Sequence, residues 1–351
     1  NALMVFNDTK VVPARLHFQR PTGAHIEIFC LEPVEPAEYN TAFAATDGTT
    51  WKCVIGNAKR WKEDVLTLYN PENDPEVRNM DLRAVLLERT AQTGLVRFSW
   101  GDSSPFSRVL ERCGTIPIPP YLNRESEAID VERYQTLYAR IRGSVAAPTA
   151  GLHFTERVLQ EIRAKGIDTE TVCLHVGAGT FKPVSSETIG DHYMHEEKIV
   201  ITEKLVSLLL HNPDRRRIAV GTTVTRTLES LFIIGAKLRL KRSSPLSVEQ
   251  WEIYDDTALR DVSVEESLTA IRDHLEQQDT DLLRAATSLI ILPTYKPRIV
   301  QGIITNFHQP KSTLLLLISA FVGDDWKKIY QHALEHDYRF LSYGDSNLYL
   351  P

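Results

Sequence analysis

Five clusters of polar residues stand where short apolar runs stop. His153 closes an uncharged stretch of small residues, Gly143-Ser-Val-Ala-Ala-Pro-Thr149-Ala-Gly151-Leu-His153-Phe154. His175-Val-Gly177-Ala-Gly179-Thr180 ends the run that begins at Ile167. Gly221-Thr222-Thr223 follows Arg217 to Val220, and Asn306-Phe-His308-Gln-Pro-Lys311-Ser312 follows Gly302 to Thr305. Tyr343-Gly-Asp345 lies near the C-terminal end. Gathered in one cleft, these clusters offer two or three imidazoles, one carboxylate and several hydroxyls. A helix starting at Thr222 would add a positive N-terminus that suits a carboxylate or a phosphate.

Each piece also has a structural reading. Gly177 and Gly179 can serve a tight turn at positive φ. Gly221-Thr222-Thr223 can cap a helix. His175 can be a hydrogen-bonded structural histidine, Asn306 and His308 can satisfy loop backbone, and Asp345 beside Gly344 can be a turn residue. The small residues of 143–151 allow either close helix–strand packing or close approach of backbone to a flat ligand.

Other chemistries are disfavoured. The histidines lack H-E-x-x-H spacing, so no metal is expected, and neither a G-x-x-x-x-G-K-[ST] loop nor a G-x-S-x-G elbow occurs. Cys30, Cys53, Cys113 and Cys173 lie far apart with no C-x-x-C pair. That spacing points away from zinc and from a disulfide framework, and toward a reducing, cytoplasmic setting.

The elements that would position these residues follow from periodicity. Residues 1–13 read as a strand and turn. Between 14 and 115 come short β-type runs such as His25 to Leu31, Trp51 to Ile55 and Gly94 to Trp100, the pattern of a small all-β barrel or sandwich. Residues 101–120 read as its exit linker. From about 121 onward strands alternate with helices. Strands are expected at 167–176, 217–221, 289–292, 302–305 and 338–343. Thr155 would cap a helix through Val158, Leu159 and Ile162, ended by Gly166; Val224, Leu228 and Leu231 line a second helix. Ser312 or Thr313 would cap the helix carrying Leu314 to Phe321, and Asp325 to His336 forms another, with Trp326, Ile329, Tyr330 and Ala333 inward.

The fold class predicted is α/β, a mostly parallel sheet with flanking helices, plus an inserted small all-β barrel. The α/β domain takes 1–13 and 116–351, the barrel 14–115, and 239–285 reads as a charged helical insertion. Open α/β sheets bind ligands outside the carboxyl ends of their strands, and parallel strands would bring the polar clusters to one rim there.

Composition agrees with a folded protein, 42% hydrophobic and 25% charged. The net charge of −6 argues against indiscriminate coating of nucleic acid but leaves room for a local basic face. Lys59-Arg60-Trp61-Lys62, Arg215 to Arg217 and Lys237 to Arg242 are candidates. The longest apolar run, Leu314 to Ile318, is too short to span a bilayer, so no membrane partner is expected. No coiled-coil heptad is evident, which makes a monomer the default. The chain opens on Asn1 rather than Met, and its natural N-terminus is expected upstream.

Longer motifs carry a resemblance. Asn7-Asp-Thr-Lys-Val-Val-Pro-Ala-Arg-Leu16, the stretch 143–154, Leu174-His-Val-Gly-Ala-Gly-Thr-Phe181 and Val220-Gly-Thr-Thr223 with Arg226-Thr-Leu-Glu229 are four of them. Thr305-Asn-Phe-His308 with Pro310-Lys-Ser-Thr313, and Tyr338-Arg-Phe-Leu-Ser-Tyr-Gly-Asp345, complete the set. Together they resemble the S-adenosylmethionine:tRNA ribosyltransferase-isomerase family of queuosine biosynthesis. Gln309 and Ala178 stand where that pattern commonly has Leu, the mark of a divergent subgroup.

The resemblance implies an enzyme that moves the ribosyl part of S-adenosylmethionine onto 7-aminomethyl-7-deazaguanine at the wobble position of tRNA. The sugar becomes an epoxycyclopentane, and adenine and methionine leave. S-adenosylmethionine is then a consumed substrate, no other cofactor is expected, and the macromolecular partner is the tRNA anticodon loop. Within that reaction we expect His153 and His175 to be the acid–base pair, with Asp345 orienting one of them or stabilising positive charge. Asn306 and His308 would hold ribose or base edges, and Thr222 and Thr223 the methionine carboxylate. Phe154, Phe181, Phe307 and Tyr343 are stacking candidates. Thr149, Gly151, Gly177, Gly179, Thr180, Arg226, Lys311 and Ser312 complete the expected substrate contacts. The alternatives are a related S-adenosylmethionine-consuming enzyme with another acceptor and a non-catalytic tRNA-binding paralogue.

Overall fold

The computed structural model describes residues 2–62, 64–90, 93–122, 124–127, 129–175 and 189–351. The chain divides into two compact units. One comprises residues 1–9, 135–141 and 148–351; the other comprises 10–134 and 142–147. The division therefore falls after Thr9 and after Tyr134, and 142–147 also belongs to the second unit.

The second unit is built on an antiparallel barrel. Its strands, in spatial order, are His25–Glu35, Gly48–Gly56, Gly94–Ser99, Arg83–Arg89, Leu66–Leu68 and Arg15–Gln19, and the last pairs back onto the first. Closure leaves no open edge in the ring. Alternation sends Leu16, Phe18, Ile26, Ile28, Trp51, Cys53, Val96 and Phe98 into its core. Residues 101–120 are more than a linker. They hold the helix Phe106–Cys113, whose Phe106, Val109 and Leu110 are fully buried. Their i, i+3, i+4 spacing is the apolar stripe of a helix that must cover a core.

The first unit is an α/β sheet whose eight strands we number in chain order: β1 (Ala2–Asn7), β2 (Asp168–Leu174), β3 (Glu197–Thr202), β4 (Arg216–Val220), β5 (Ser247–Val248), β6 (Leu282–Thr287), β7 (Gly302–Asn306) and β8 (Ser346–Tyr349). The spatial order is β5-β6-β3-β2-β1-β4-β7-β8. The central strands β2, β1, β4 and β7 are parallel neighbours. Against them run β3, paired with β2 and β6, and β8, paired with β7.

Two expected strands lie elsewhere. Residues 289–292 are irregular, and β6 forms from 282–287 instead, so the stretch 239–285 contributes β5 and most of β6 to the sheet besides its helices. Residues 338–343 form no strand; a tight loop there leads into β8, which runs antiparallel.

Helices cover both faces. The helix Glu156–Ala164 (α1) is capped by Thr155, whose hydroxyl accepts from Val158 N–H. Its Leu159 packs with Met4 and Phe6 of β1 and Ile218 and Val220 of β4, so α1 covers the face carrying these residues. The opposite face meets the helix Thr222–Arg239 (α2), buried from Val224 to Lys237. No helix among the described residues is long and apolar enough to cross a membrane.

Candidate active site

The parallel strands bring their carboxyl ends to one rim. There β1 passes into Asp8, β2 into His175, β4 into Gly221 and β7 into the loop after Asn306. Because β8 is antiparallel, its beginning rather than its end lies on this rim: Ser346 pairs with Asn306. Asp345 therefore reaches the rim, at the β7 side. Among the four central parallel strands, the one that follows β1 in the chain is β2, on one side, and the one that follows β4 is β7, on the other. That reversal makes the ends of β1 and β4 a topological switch point, where open α/β sheets hold ligands.

Register assigns faces. Phe6 pairs with Thr171, Met4 with Ile218, and Val220 with Ile304. Side chains alternate along each strand. Asp8, Cys173, His175 and Asn306 therefore all belong to the α1 face.

On the β7 side, His153 Nε2 and Asn306 Oδ1 are 2.7 Å apart. Asn306 Nδ2 donates to Thr149 Oγ1 at 2.9 Å, with the amide oxygen turned toward the imidazole. Nε2 then carries the proton, and Nδ1 is left as the basic nitrogen of the ring. Thr149, His153 and Asn306 form a connected set although 157 positions separate its ends.

His175 sits on the other side of β1. Its backbone N–H donates to Lys198 carbonyl, continuing the β2–β3 pairing, and its Nε2 is 3.8 Å from Cys173 Sγ. Burial first, then the charge of Asp8, push the Cys173 thiol up to about 12, so it stays protonated. Three strand spacings of roughly 4.8 Å separate β2 from β7, which puts their ends about 14 Å apart. His153 and His175 thus bracket the switch point from two sides instead of sharing one proton.

His308 has turned away. By alternation Thr305 faces opposite to Asn306, and its hydroxyl lies 2.9 Å from His308 Nε2. His308 N–H donates to Tyr330 Oη, and burial pulls its imidazole down to about 4. It is a neutral histidine whose imidazole bonds the Thr305 hydroxyl rather than loop backbone.

Phe154 is buried and meets Phe6 edge-on at 5.0 Å, and Phe307 packs against Tyr330 and Phe340. Both rings belong to the core, while Tyr343 remains exposed. At Gly151 a Cβ would come within 1.9 Å of Tyr138 Oη, so close packing accounts for that glycine. Gly221, at φ +100°, ends β4 and precedes the N-terminus of α2, where Thr222 and Thr223 are half-buried.

Arg226 donates to Glu197 Oε2 at 2.6 Å and to Leu289 carbonyl at 3.1 Å, both deep inside; its buried Nη2 has no hydrogen-bond partner among the described residues. Asp345 Oδ2 accepts from Arg339 N–H, closing the loop that Gly344 makes tight. Lys311 is exposed with φ +55°, and Ser312 Oγ donates to Gln309 carbonyl. Gly177, Gly179, Thr180 and Phe181 lie outside the described residues.

Two rim residues carry no expectation from sequence, Asp8 and Glu197. Asp8 directly follows the first apolar run, where Asn-Asp-Thr reads as a turn. Glu197 opens Glu197-Lys-Ile-Val-Ile-Thr202, whose period-2 alternation is a legible strand signal.

Residues 1–349 match the family described as queuosine biosynthesis protein. The S-adenosylmethionine:tRNA ribosyltransferase-isomerase of Trichlorobacter lovleyi is 37% identical over 99% of this chain and 84% of its own length. The protein of the same name from Treponema denticola is 35% identical over 100% of this chain and 85% of its own. A crystal structure of an S-adenosylmethionine tRNA ribosyltransferase from Thermotoga maritima aligns at 25% identity, covering 99% of this chain and 82% of that one, with a TM-score of 0.40.

Proposed function

The chain belongs to the queuosine biosynthesis protein family, and we propose that it is an S-adenosylmethionine:tRNA ribosyltransferase-isomerase. It moves the ribosyl group of S-adenosylmethionine to 7-aminomethyl-7-deazaguanine at the tRNA wobble position, giving epoxyqueuosine, adenine and methionine. The observation that carries this reading is the match over nearly the whole chain to relatives bearing that name.

The rim geometry supports a division of work. The amine of the acceptor must attack as a free base, and adenine must leave with a proton. His153, oriented by Asn306, and His175 supply the two imidazoles, one on each side of the switch point. The first turn of α2, with Thr222 and Thr223, receives the methionine carboxylate. Tyr343 stacks on the extruded base. Asp345 serves from the β7 side of the rim. S-adenosylmethionine is consumed and no further cofactor takes part. The acceptor is presented by the anticodon loop to a monomer working in the cytoplasm.

The test is incubation with S-adenosylmethionine and tRNA carrying the aminomethyl base. Free adenine and the mass of the modified nucleoside are expected. Adenine release with a different acceptor only would make the protein a related enzyme. Salt-dependent tRNA binding with no turnover would make it a non-catalytic paralogue.

A further inference from the structure

Asp8 is 6% exposed and follows the last residue of β1, at the switch point itself. Its Oδ1 has no hydrogen-bond partner among the described residues, while Thr171 bonds the carboxyl group. A buried acceptor left unsatisfied is destabilising. The turn does not require that carboxylate. Asn7 holds it instead: Oδ1 accepts from Thr9 and Leu174 N–H, and Nδ2 donates to Leu174 carbonyl. Asp8 carbonyl accepts from Arg140 and Ile141 N–H.

The groups facing the carboxylate are Arg140, Tyr138, Cys173 and, one step along the same face of β2, His175. Burial raises the Asp8 carboxyl above its ordinary range, more than Thr171 and the Arg140 charge lower it. Tyr138 and Cys173 are each driven further toward their protonated forms by the Asp8 charge.

We propose that Asp8 is the base that removes the proton from the carbon beside the sulfonium of S-adenosylmethionine, an assignment that rests on the ribosyl-transfer reading above. The C–H bond breaks, its electron pair stays on the carbon next to sulfur, and the proton moves to Oδ1. Before the step there is a carboxylate and a sulfonium; afterwards there is a carboxylic acid and an ylide of no net charge. Low dielectric favours this direction, because it penalises the two charged forms. The sulfonium has no N–H or O–H to donate, so a carboxylate oxygen without a donor is the complementary partner. Removal of this proton is a step separate from freeing the amine and protonating adenine, and Asp8 adds a third group to the two imidazoles.

The experiment measures adenine release from S-adenosylmethionine with tRNA bearing the aminomethyl base. Asp8→Asn keeps the shape and is expected to lose about 10²- to 10⁴-fold in rate with its melting temperature preserved. Asp8→Ala is expected to regain activity with added formate, which supplies a carboxylate to the vacated space, whereas His175→Ala is not. Asn-variant turnover within about threefold of wild type, or an Asp8→Ala enzyme that folds but ignores formate, overturns the assignment. Should neither variant fold, the acid limb of the wild-type pH–rate profile decides: it is expected to survive in His175→Gln and in His153→Gln, and its loss in either overturns the proposal. An inactive wild-type protein overturns the reaction itself, and the role of Asp8 with it; an active wild type beside an active Asp8→Asn overturns the role alone.

Discussion

His153 and Asn306 meet through a 2.7 Å hydrogen bond across 153 positions of chain. The bond orients the imidazole, and Thr149 holds Asn306 in place for it. Asn306→Ala is therefore expected to lower adenine release on the order of 10²-fold through loss of orientation. His153→Gln is expected to lower it by about 10²- to 10⁴-fold. Both variants should bind tRNA with nearly wild-type affinity in a filter or anisotropy assay. Wild-type turnover by His153→Gln would remove the imidazole from the mechanism.

Gly151 owes its smallness to Tyr138. A methyl group there would overlap the phenol oxygen at 1.9 Å and Thr136 Cγ2 at 2.8 Å. Gly151→Ala is expected to destabilise the protein by at least about 1–3 kcal/mol, the usual cost of overpacking. Adding Tyr138→Phe removes the nearest atom and should recover part of the loss. Equal denaturation midpoints for the single and double variants would contradict this packing account.

The sequence made the rim legible through its punctuation, because a polar cluster after an apolar run is a local signal. Its geometry was less legible. Asp345 reaches the rim by way of an antiparallel strand, and pairing direction is set by the partner, Asn306 against Ser346, rather than by the residues 338–343 themselves. Phe154 and His308 illustrate a second limit. Nothing near Phe154 in sequence reveals that Phe6 will occupy its face, and at His308 the local letters do not reveal that the chain turns the ring back onto Thr305. Asp8 is not legible as a site residue because a turn and a buried carboxylate share the letters Asn-Asp-Thr.

Glu229 anchors the loop before β7, at the end of the sheet away from the rim. Its carboxylate accepts from Tyr295 Oη and from the N–H groups of Arg298, Ile299 and Val300. Glu229→Ala would leave these buried donors unmet, at about 1–3 kcal/mol each. The expected loss exceeds about 3 kcal/mol by urea denaturation, and Glu229→Gln, which keeps one acceptor oxygen, should lose less. Unchanged stability in Glu229→Ala would mean that the loop finds other acceptors.

His308 sets an acid-sensitive contribution to stability. Burial lowers its imidazole from 6.5 to about 4 in the folded chain. Between those values the unfolded chain binds the proton and the folded chain does not, so stability rises with pH across that window and is lost as pH falls through it. Full protonation of the unfolded form costs the fold on the order of 3 kcal/mol. His308→Gln keeps a polar side chain within reach of Thr305 but cannot titrate. Its melting temperature should therefore fall less steeply than that of wild type between pH 6.5 and pH 4, and parallel curves for the two proteins would show that His308 does not titrate in this range.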